Sequence, residues 1–384
     1  MKNRSNFYPY QNKMVNHIKA NNGAGLFAGM SLGKSISTLT AYSELLQDFD
    51  VIKPLIIAPL RVAQTVWHNE AKDWEQTKHL KFSLVLGTLK ERVAALKVDA
   101  DFYIINRENV QWLGDYYQKK FPFDAIIIDE SSSFKNGSSK RFRMLRKMLN
   151  LSKVKRTTIL TGTPGNYMDL WSQTFILDKG QRLGKNIGMF RSAYFTPDYS
   201  GYNYTIKPGS EETINNKIKD IVLSLDTDDY LDLPPYMSEV VNIPMDSKLD
   251  KLYREFEEDM IYNLRNLEDD EESNIVAQSA AALSMKLLQF CSGAIYNDDK
   301  EVEVIHDLKF KALDDILEDN AKEQILVAYN FKHEKERILK RYPFAVEMDK
   351  KGDAVEKWNN GEIKMLVGHP ASMGHGLNLH KSNA

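Results

Sequence analysis

The sequence predicts a doubly wound α/β fold, followed by a second and smaller α/β domain. From Ala24 to Leu160, short apolar runs alternate with helix-forming segments, the order expected of a parallel sheet with crossover helices. Runs such as Ile126-Ile127-Ile128 are apolar at every position, which predicts strands that are buried on both faces. A Gly-rich turn follows the first apolar run, and in such folds ligands bind at the carboxyl ends of the strands.

The first domain is predicted to alternate strands with helices as far as Leu160. The predicted strands are Gly25–Ala28, Leu55–Ala58, Phe82–Leu86, Phe102–Asn106, Ala125–Asp129 and Thr157–Leu160. The predicted helices are Ser35–Gln47, Gln64–Trp74, Thr88–Leu96, Glu108–Lys119 and Ser138–Asn150. Each predicted helix lies between two predicted strands, as parallel pairing through crossover connections requires.

The chain is less regular between residues 165 and 245, and Leu233-Pro234-Pro235 predicts a break after the first domain. A charged helix is predicted at Ser247–Leu267, and the acidic run at 268–272 is predicted to be a solvated loop. A second α/β pattern begins near Lys309. Its strands are predicted at Gln324–Tyr329, Phe344–Met348 and Lys364–Val367, and its helices at Phe310–Glu318, His333–Arg341 and Asp353–Asn359.

Three strands without a closing helix make a poor sheet on their own, so we expect the second domain to be incomplete at Ala384. The predicted organisation is a first domain at 1–230, a helical linker at 231–305 and a partial second domain at 306–384.

Composition excludes several classes of protein. A net charge of −2 over 384 residues argues against a globally basic nucleic-acid binder, although it permits a local basic surface. One cysteine, Cys291, excludes an intrachain disulfide and a multi-cysteine metal site, and the dispersed histidines do not predict a zinc site. The first residues lack an apolar run and no stretch approaches about 18 apolar residues, so we expect neither a signal peptide nor a membrane span, and a cytoplasmic protein.

The segment from Leu26 to Ser35 is suited to binding a polyphosphate. It runs from an apolar strand through a Gly-rich turn into a helix, whose backbone N–H groups and dipole favour negative charge. Lys34 would reach the β- and γ-phosphates, and the Ser35 hydroxyl would bind Mg²⁺. The candidate nucleotide-binding residues of this loop are Gly29, Met30, Ser31, Leu32, Gly33, Lys34 and Ser35. Ala28 stands where the strict pattern has its first glycine, so an ordinary glycine turn is the alternative.

Two further strand ends carry candidate catalytic residues. Asp129 would hold Mg²⁺ and Glu130 would face the attacking water, with strand alternation aiming the two side chains apart. The alternative is a solvated carboxylate pair. The turn Thr161-Gly162-Thr163 follows the next strand, where small hydroxyl residues can sense a phosphate or carboxylate; an ordinary strand-to-turn transition is the alternative.

The strongest local charge lies between Lys135 and Arg156, which contains basic residues and no acidic one. Such a segment can neutralise phosphates and make nucleic-acid binding salt-dependent. Its basic residues are Lys135, Lys140, Arg141, Arg143, Arg146, Lys147, Lys153, Lys155 and Arg156. A solvated basic helix is the alternative.

These stretches, in this order, resemble the core of superfamily 2 helicases, and most closely the Swi2/Snf2 branch of DNA translocases. Gly29–Ser35 resembles that branch's GMGLGKT, with Ser31 in place of Gly and Ser35 in place of Thr. Gln11 resembles the glutamine motif that reads adenine, and Arg61 lies in a stretch similar to motif Ia, which contacts the nucleic-acid backbone. Further stretches resemble motif II (Asp129–Ser132), motif III (Leu160–Pro164), the LP element (Leu233–Pro235), the L-R/L-Q helix (Leu287–Gln289), motif IV (Ile325–Phe331) and motif V (Ser372–Leu379, with Gly376 as a further nucleotide contact).

The sequence also departs from the family. Ser132 replaces the usual His of motif II, and no stretch before Ala384 matches motif VI, which carries the family's arginine finger. We therefore expect these 384 residues to bind nucleotide but to hydrolyse it slowly, even with DNA present.

The resemblance implies two RecA-like lobes, the second incomplete, that use ATP and Mg²⁺ to move along double-stranded DNA. It supports Lys34, Asp129 and Glu130 as catalytic, Thr161, Gly162 and Thr163 as coupling, and Arg61 as a nucleic-acid contact. The basic segment adds Lys135, Lys140, Arg141 and Arg143 as candidate nucleic-acid contacts. Two alternatives stay open: a strand-separating DNA or RNA helicase, and a nucleotide- and DNA-binding module with little turnover. The compact layout is typical of a bacterial or phage protein.

Overall fold

The computed structural model describes residues 1–151, 153–199, 203–226, 229–230, 238–268, 273–297, 299–321, 323–349, 353–373 and 379, with side chains omitted over 259–281. The chain divides into two compact units, Met1–Pro234 and Pro235–Ala384. Within the described ranges, no helix is both long enough and apolar enough to cross a membrane.

The first unit is built on a seven-stranded sheet and a separate hairpin. The strands are β1 (Gly23–Ala28), β2 (Pro54–Ala58), β3 (Phe82–Val85), β4 (Phe102–Asn106), β5 (Ala125–Asp129), β6 (Arg156–Thr161), the hairpin strands β7 (Phe195–Pro197) and β8 (Tyr204–Ile206), and β9 (Val222–Leu225). In the large sheet the order is β3-β4-β2-β5-β6-β1-β9, and every neighbouring pair is parallel. The predicted doubly wound α/β fold is confirmed.

Helices cover both faces of this sheet. They are α1 (Pro9–Ala20), α2 (Lys34–Gln47), α3 (Leu60–Asp73), α4 (Leu89–Ala95), α5 (Val110–Tyr117), α6 (Lys140–Leu149), α7 (Leu170–Asp178), α8 (Ile187–Tyr194) and α9 (Ser210–Ile218). Alternate residues of the central strands enter different cores: Ile127 packs with the layer of α1–α3, and Ile126 and Ile128 with that of α5–α7. Burial on both faces therefore explains the continuous apolar runs.

Several sequence predictions need correction. The sequence predicts a less regular stretch at 165–245, without named elements, yet the structure places α7, α8, α9 and β9 there. All nine residues of α7 are buried, so this helix has no polar face and lacks the amphipathic pattern by which helices are recognised. Helix α1 was not predicted, and α3 begins at Leu60, directly after Pro59, earlier than expected.

The second unit contains a parallel sheet of three strands, in the order β12-β14-β13, and an antiparallel hairpin formed by β10 and β11. Its elements are α10 (Ser247–Glu268), α11 (Ser273–Cys291), β10 (Ala294–Tyr296), β11 (Val302–Val304), α12 (Leu308–Asp319), β12 (Ile325–Ala328), α13 (Lys332–Arg341), β13 (Ala345–Glu347), α14 (Asp353–Asn359), β14 (Met365–Gly368) and α15 (Pro370–Met373). The three predicted strands and their helices are confirmed. The acidic run beyond Glu268 and residues 374–378, including Gly376, lie outside the described residues.

Candidate nucleotide-binding site

The Gly-rich loop connects β1 to α2 with two residues in the left-handed backbone region. Gly33, at the N-terminus of α2, has φ +74°, a conformation that a glycine adopts without steric cost. Ser31 has φ +62°, at the position where the Swi2/Snf2 pattern has glycine. The loop therefore leads directly into the N-terminus of a fourteen-residue helix, where backbone N–H groups and the helix dipole favour an anion.

Lys34 folds back over this loop. Its Nζ donates to the carbonyl oxygens of Ala28 and Gly29, each at 2.8 Å. Burial lowers the pKa of the Lys34 ammonium, while Asp129 and Glu130 act in the opposite direction. A phosphate oxygen would compete with the two neutral carbonyls for this cation, and charge-assisted hydrogen bonds are the stronger kind.

Gln11 lies against the same loop although it belongs to α1. Its side chain is buried, its Oε1 accepts the Tyr8 backbone N–H at 2.9 Å, and a Cβ at Gly33 would overlap its Nε2. Arg156 fixes the other end of α1, because its guanidinium donates to the carbonyls of Ile18, Lys19 and Asn21. The structure therefore brings the predicted adenine-reading residue to the phosphate loop.

Asp129 ends β5 in a site that disfavours its charge. Burial and the neighbouring Glu130 raise the pKa of the Asp129 carboxyl from 3.8 to about 6, against the opposing influence of Lys34. The fully buried Trp67 of α3 donates its indole N–H to Asp129 Oδ2 at 3.1 Å, and the Glu130 N–H donates to Oδ1 at 3.0 Å. A desolvated carboxylate with a like charge beside it is stabilised by a cation, which fits the predicted magnesium ligand.

Glu130 lies beyond the strand rather than in it. Its backbone is left-handed, at φ +52° and ψ +58°, and it precedes a 3-10 turn at Ser131–Phe134. Strand alternation therefore does not govern the Glu130 side chain, because Glu130 lies after the strand in a left-handed conformation. A non-glycine residue in this region carries strain of order 1 kcal/mol, a feature that clusters at functional sites.

The strand register brings these groups to one edge of the sheet. Phe27 of β1 pairs with Thr161 of β6, and Asp129 of β5 pairs with Leu160 of β6. A Cβ at Gly162 would lie 3.4 Å from Ala28 O and 3.9 Å from Lys34 Nζ, so Gly162 borders the loop directly. Thr161 is buried, and its Oγ1 accepts the Thr163 backbone N–H at 3.1 Å. The loop, the carboxylates and the predicted coupling turn are therefore neighbours.

Two residues of this site acquire roles that the sequence did not indicate. Trp67 belongs to the stretch similar to motif Ia that contains Arg61, and its contact with Asp129 depends on how α3 packs against β5. Gln173 of α7 is fully buried and its amide joins two turns of this site. Its neighbours Ser172 and Thr174 are polar too, so the sequence offers no signal that singles it out.

The predicted basic segment separates into exposed and structural residues. Lys140 and Arg143 are exposed on α6, while Lys135 is exposed and lies 3.6 Å from the Asp169 carboxylate. Arg156 holds α1, and Arg146 stacks on the Phe175 ring at 4.7 Å, so these two are packing residues. Lys135, Lys140 and Arg143, around the start of α6, form an exposed basic surface, and Lys147, Lys153 and Lys155 of the same segment are exposed as well.

A polar cavity of about 440 Å³ adjoins this surface. Its walls come from α6, from the 3-10 turn after Glu130 and from the region where α5 begins: Glu108, Gln111, Ser133, Ser139, Lys140 and Arg141. Arg141 lies over the Phe134 ring at 5.7 Å, and Arg61, the other predicted nucleic-acid contact, lies in the first turn of α3.

Metal binding here would depend on few protein ligands. In the part of the chain that the structure describes, no group of three or more His, Cys, Asp or Glu side chains could hold a metal ion. Mg²⁺ commonly binds one or two carboxylates together with substrate phosphates, so Asp129 and the half-buried Ser35 suffice as its protein ligands.

Asp129→Asn is expected to remove a pH dependence from the stability of the nucleotide-free protein. Because the pKa of Asp129 is raised to about 6, the folded state keeps a proton that the unfolded state has lost, and stability falls as pH rises from about 4 to about 6. The shift corresponds to at most about 3 kcal/mol, an upper bound because part of the residue remains exposed. Thermal unfolding of both proteins at about pH 5 and about pH 7.5 checks this. An equal difference in Tm at both pH values would contradict it.

Comparison with known proteins identifies the family. The family model for the SNF2-related domain matches residues 10–294, which include the loop, the carboxylates and the coupling turn. The chain belongs to the SNF2-related family. The predicted resemblance to the Swi2/Snf2 branch is thereby confirmed.

Proteins similar to the chain include a phage protein and eukaryotic proteins. Putative protein p41 of Acyrthosiphon pisum secondary endosymbiont phage 1 is 37% identical over 384 residues, covering 97% of this chain and 82% of p41. The probable ATP-dependent DNA helicase CHR12 of Arabidopsis thaliana is 31% identical over 160 residues, which cover 40% of this chain and 14% of that helicase. The likeness to the eukaryotic protein thus concerns a small part of its length.

A solved structure shows the same SNF2-family fold. The Sulfolobus solfataricus SWI2/SNF2 ATPase core in complex with dsDNA aligns with a TM-score of 0.51 at 22% identity, covering 98% of this chain and 81% of that one. This agreement confirms the predicted α/β architecture of RecA-like type.

Proposed function

We propose that this chain is the core of an ATP-dependent motor that binds Mg·ATP on its first unit and couples hydrolysis to movement along double-stranded DNA. The observation that carries the proposal is the meeting of Lys34, Asp129-Glu130 and Thr161–Thr163 at the carboxyl ends of β1, β5 and β6. Membership of the SNF2-related family supports it. Infected bacterial cytoplasm is the proposed location, since p41 is a phage protein.

Each residue of the site has a proposed task. Gln11 would recognise adenine, Lys34 would bind the β- and γ-phosphates, and the loop N–H groups would hold the remaining phosphate oxygens. When bound through Ser35 and Asp129, Mg²⁺ supplies charge neutralisation at the phosphates. Glu130 would orient a water and accept its proton, a step that needs a carboxylate within hydrogen-bond reach of that water.

The turn at Thr161–Thr163 is proposed to couple ATP hydrolysis to movement along DNA. It borders the loop at Gly162, so a change at the phosphates would reach it directly. The proposed lobes are residues 1–230 and 306–384, joined by a linker at 231–305, and closure of the lobes during the ATP cycle is part of the proposal.

Duplex DNA is the nucleic acid along which the chain is proposed to move. The Sulfolobus solfataricus core is described in complex with dsDNA, which supports a duplex here. The proposed contacts are Arg61, Lys135, Lys140, Arg141 and Arg143, which would engage phosphates without reading sequence.

Linked binding of nucleotide and DNA tests this function without requiring fast turnover. The affinity for duplex DNA is measured with and without a Mg²⁺-bound, non-hydrolysable ATP analogue, and the analogue's affinity with and without DNA. A motor requires each ligand to change the affinity of the other by the same factor, which linkage fixes. Two independent sites would leave both affinities unchanged, the result expected of a mere binding module. Repeating the titrations with single-stranded and forked DNA distinguishes a duplex translocase from a strand-separating helicase.

Reversing Lys140 and Arg143 to Glu is expected to weaken duplex binding and to flatten its salt dependence. Removing one basic side chain that neutralises a phosphate should lower the slope of log affinity against log salt by roughly 0.9, so the pair should lower it by about 2. Lys155→Glu is the matched control, because Lys155 is also exposed but directly precedes β6, at the opposite edge of the sheet. Salt titrations of all three proteins provide the measurement. The same slope in the double variant and in the wild type would exclude this surface as a DNA contact.

A further inference from the structure

The buried side chain of Gln173 joins the turns that follow β5 and β6. Its Oε1 accepts the Ser131 hydroxyl at 2.8 Å, and its Nε2 donates to the Pro164 carbonyl at 2.6 Å. A longer contact of 3.4 Å joins Nε2 to the Asp169 carbonyl of its own chain segment. Gln173 and Ser131 are both fully buried, so water cannot replace these bonds.

The two joined turns carry the candidate chemistry. Ser131 directly follows Glu130, which has a left-handed backbone and lies beyond the end of β5. Pro164 directly follows Thr163, whose N–H is held by Thr161. A side chain that accepts a hydrogen bond from one turn and donates a hydrogen bond to the other must carry both an acceptor oxygen and an N–H donor at its end. A glutamine amide provides both.

Helix α7 holds the same region at a second point. The hydroxyl of Ser172 donates to the Lys135 carbonyl at 2.7 Å, just beyond the 3-10 turn that Ser131 begins. Consecutive residues of one rigid helix therefore fix both ends of the segment after Glu130, while Gln173 also fixes the turn after β6.

We propose that Gln173 is a positioning residue that holds the Glu130 turn in register with the Thr161–Pro164 turn, so that its loss slows the chemical step without weakening nucleotide binding. The proposal rests on the proposed function, since it concerns ATP hydrolysis at the same site. Gln173 acts through Ser131 and Pro164, and its amide does not take part in the reaction itself.

The test compares Gln173→Met with Thr174→Val. Met matches Gln in length and removes both hydrogen bonds while the core remains filled. Thr174 is the matched control, because it is buried beside Gln173 on α7 and its hydroxyl has no partner in the described structure, so Val removes no bond. We expect Gln173→Met to lower the single-turnover rate of ATP hydrolysis about 10-fold with the nucleotide Kd unchanged, and Thr174→Val to change neither.

The variant Ser131→Ala tests the hydrogen bond between Ser131 and Gln173 from its other end. If Gln173 acts through Ser131, the double variant should be about as slow as Gln173→Met alone, because both substitutions break one connection. A Gln173→Met protein that hydrolyses ATP at the wild-type rate overturns the positioning role, and so does one whose Kd rises by the factor its rate falls. If the wild-type chain binds nucleotide but never hydrolyses it, the proposed function itself is wrong. This outcome is distinguishable from the others because it appears in the wild type, without any variant.

Discussion

Lys34→Ala abolishes Mg²⁺-dependent ATP binding, with an expected loss of affinity of ~100-fold or more. The loop carries one mobile cation among its residues from Gly29 to Ser35, and its Nζ already lies against the Ala28 and Gly29 carbonyls where the loop turns. Without it, the phosphates would face backbone N–H groups only. Titration of a fluorescent ATP analogue in the presence of Mg²⁺ provides the measurement.

The same variant is expected to fold. Its Tm should fall somewhat, because the Ala28 and Gly29 carbonyls lose their Nζ donor and Asp129 loses a neighbouring positive charge, so Tm is measured beside the titration. Lys90→Ala, at an exposed position of α4, is the matched control and should bind ATP like the wild type. Retained affinity in a folded Lys34→Ala protein would show that nucleotide does not bind at this loop.

Glu130→Gln has the second large effect: ATP binding is kept, while hydrolysis falls by about 10²–10⁴-fold, the range that a positioned general base contributes. The amide is isosteric and can still orient a water, but it cannot accept the proton. The left-handed backbone at residue 130 is kept as well, because Gln and Glu have the same steric requirement there. Single-turnover hydrolysis and analogue titration separate the two quantities.

Glu75→Gln, at an exposed position after α3, controls for the loss of a carboxylate elsewhere and should leave both quantities unchanged. If Glu130→Gln hydrolysed bound ATP as fast as the wild type, another group would have to be the base. Asp129 would then be the next carboxylate to test, because each of its oxygens accepts one hydrogen bond and keeps a second lone pair.

The central strands could be predicted from the sequence because they are buried on both faces. Phe102–Asn106 and Ala125–Asp129 have the bounds that their apolar runs predict. Helix α7 could not be predicted from periodicity, since a helix buried on all sides shows none. Strand β9 is short and lies at the edge of the sheet, where a four-residue stretch gives little pattern to read.

The candidate site likewise contains residues that the sequence predicts and contacts that it does not predict. Lys34, Asp129 and Glu130 could be predicted because each lies in a contiguous motif at a strand end. The contact between Trp67 and Asp129 could not, because it joins residues distant in sequence that meet only when α3 packs on the sheet. Charge alone also could not separate the exposed Arg143 from Arg156, which is bound to the carbonyls that end α1.

Hydrolysis of ATP by this chain under single-turnover conditions, with and without duplex DNA, tests the central claim most directly. We expect hydrolysis that depends on Mg²⁺, rises when duplex DNA is added and disappears in Glu130→Gln. The central claim would be contradicted if the wild type hydrolysed bound ATP no faster than Glu130→Gln does, both with and without duplex DNA.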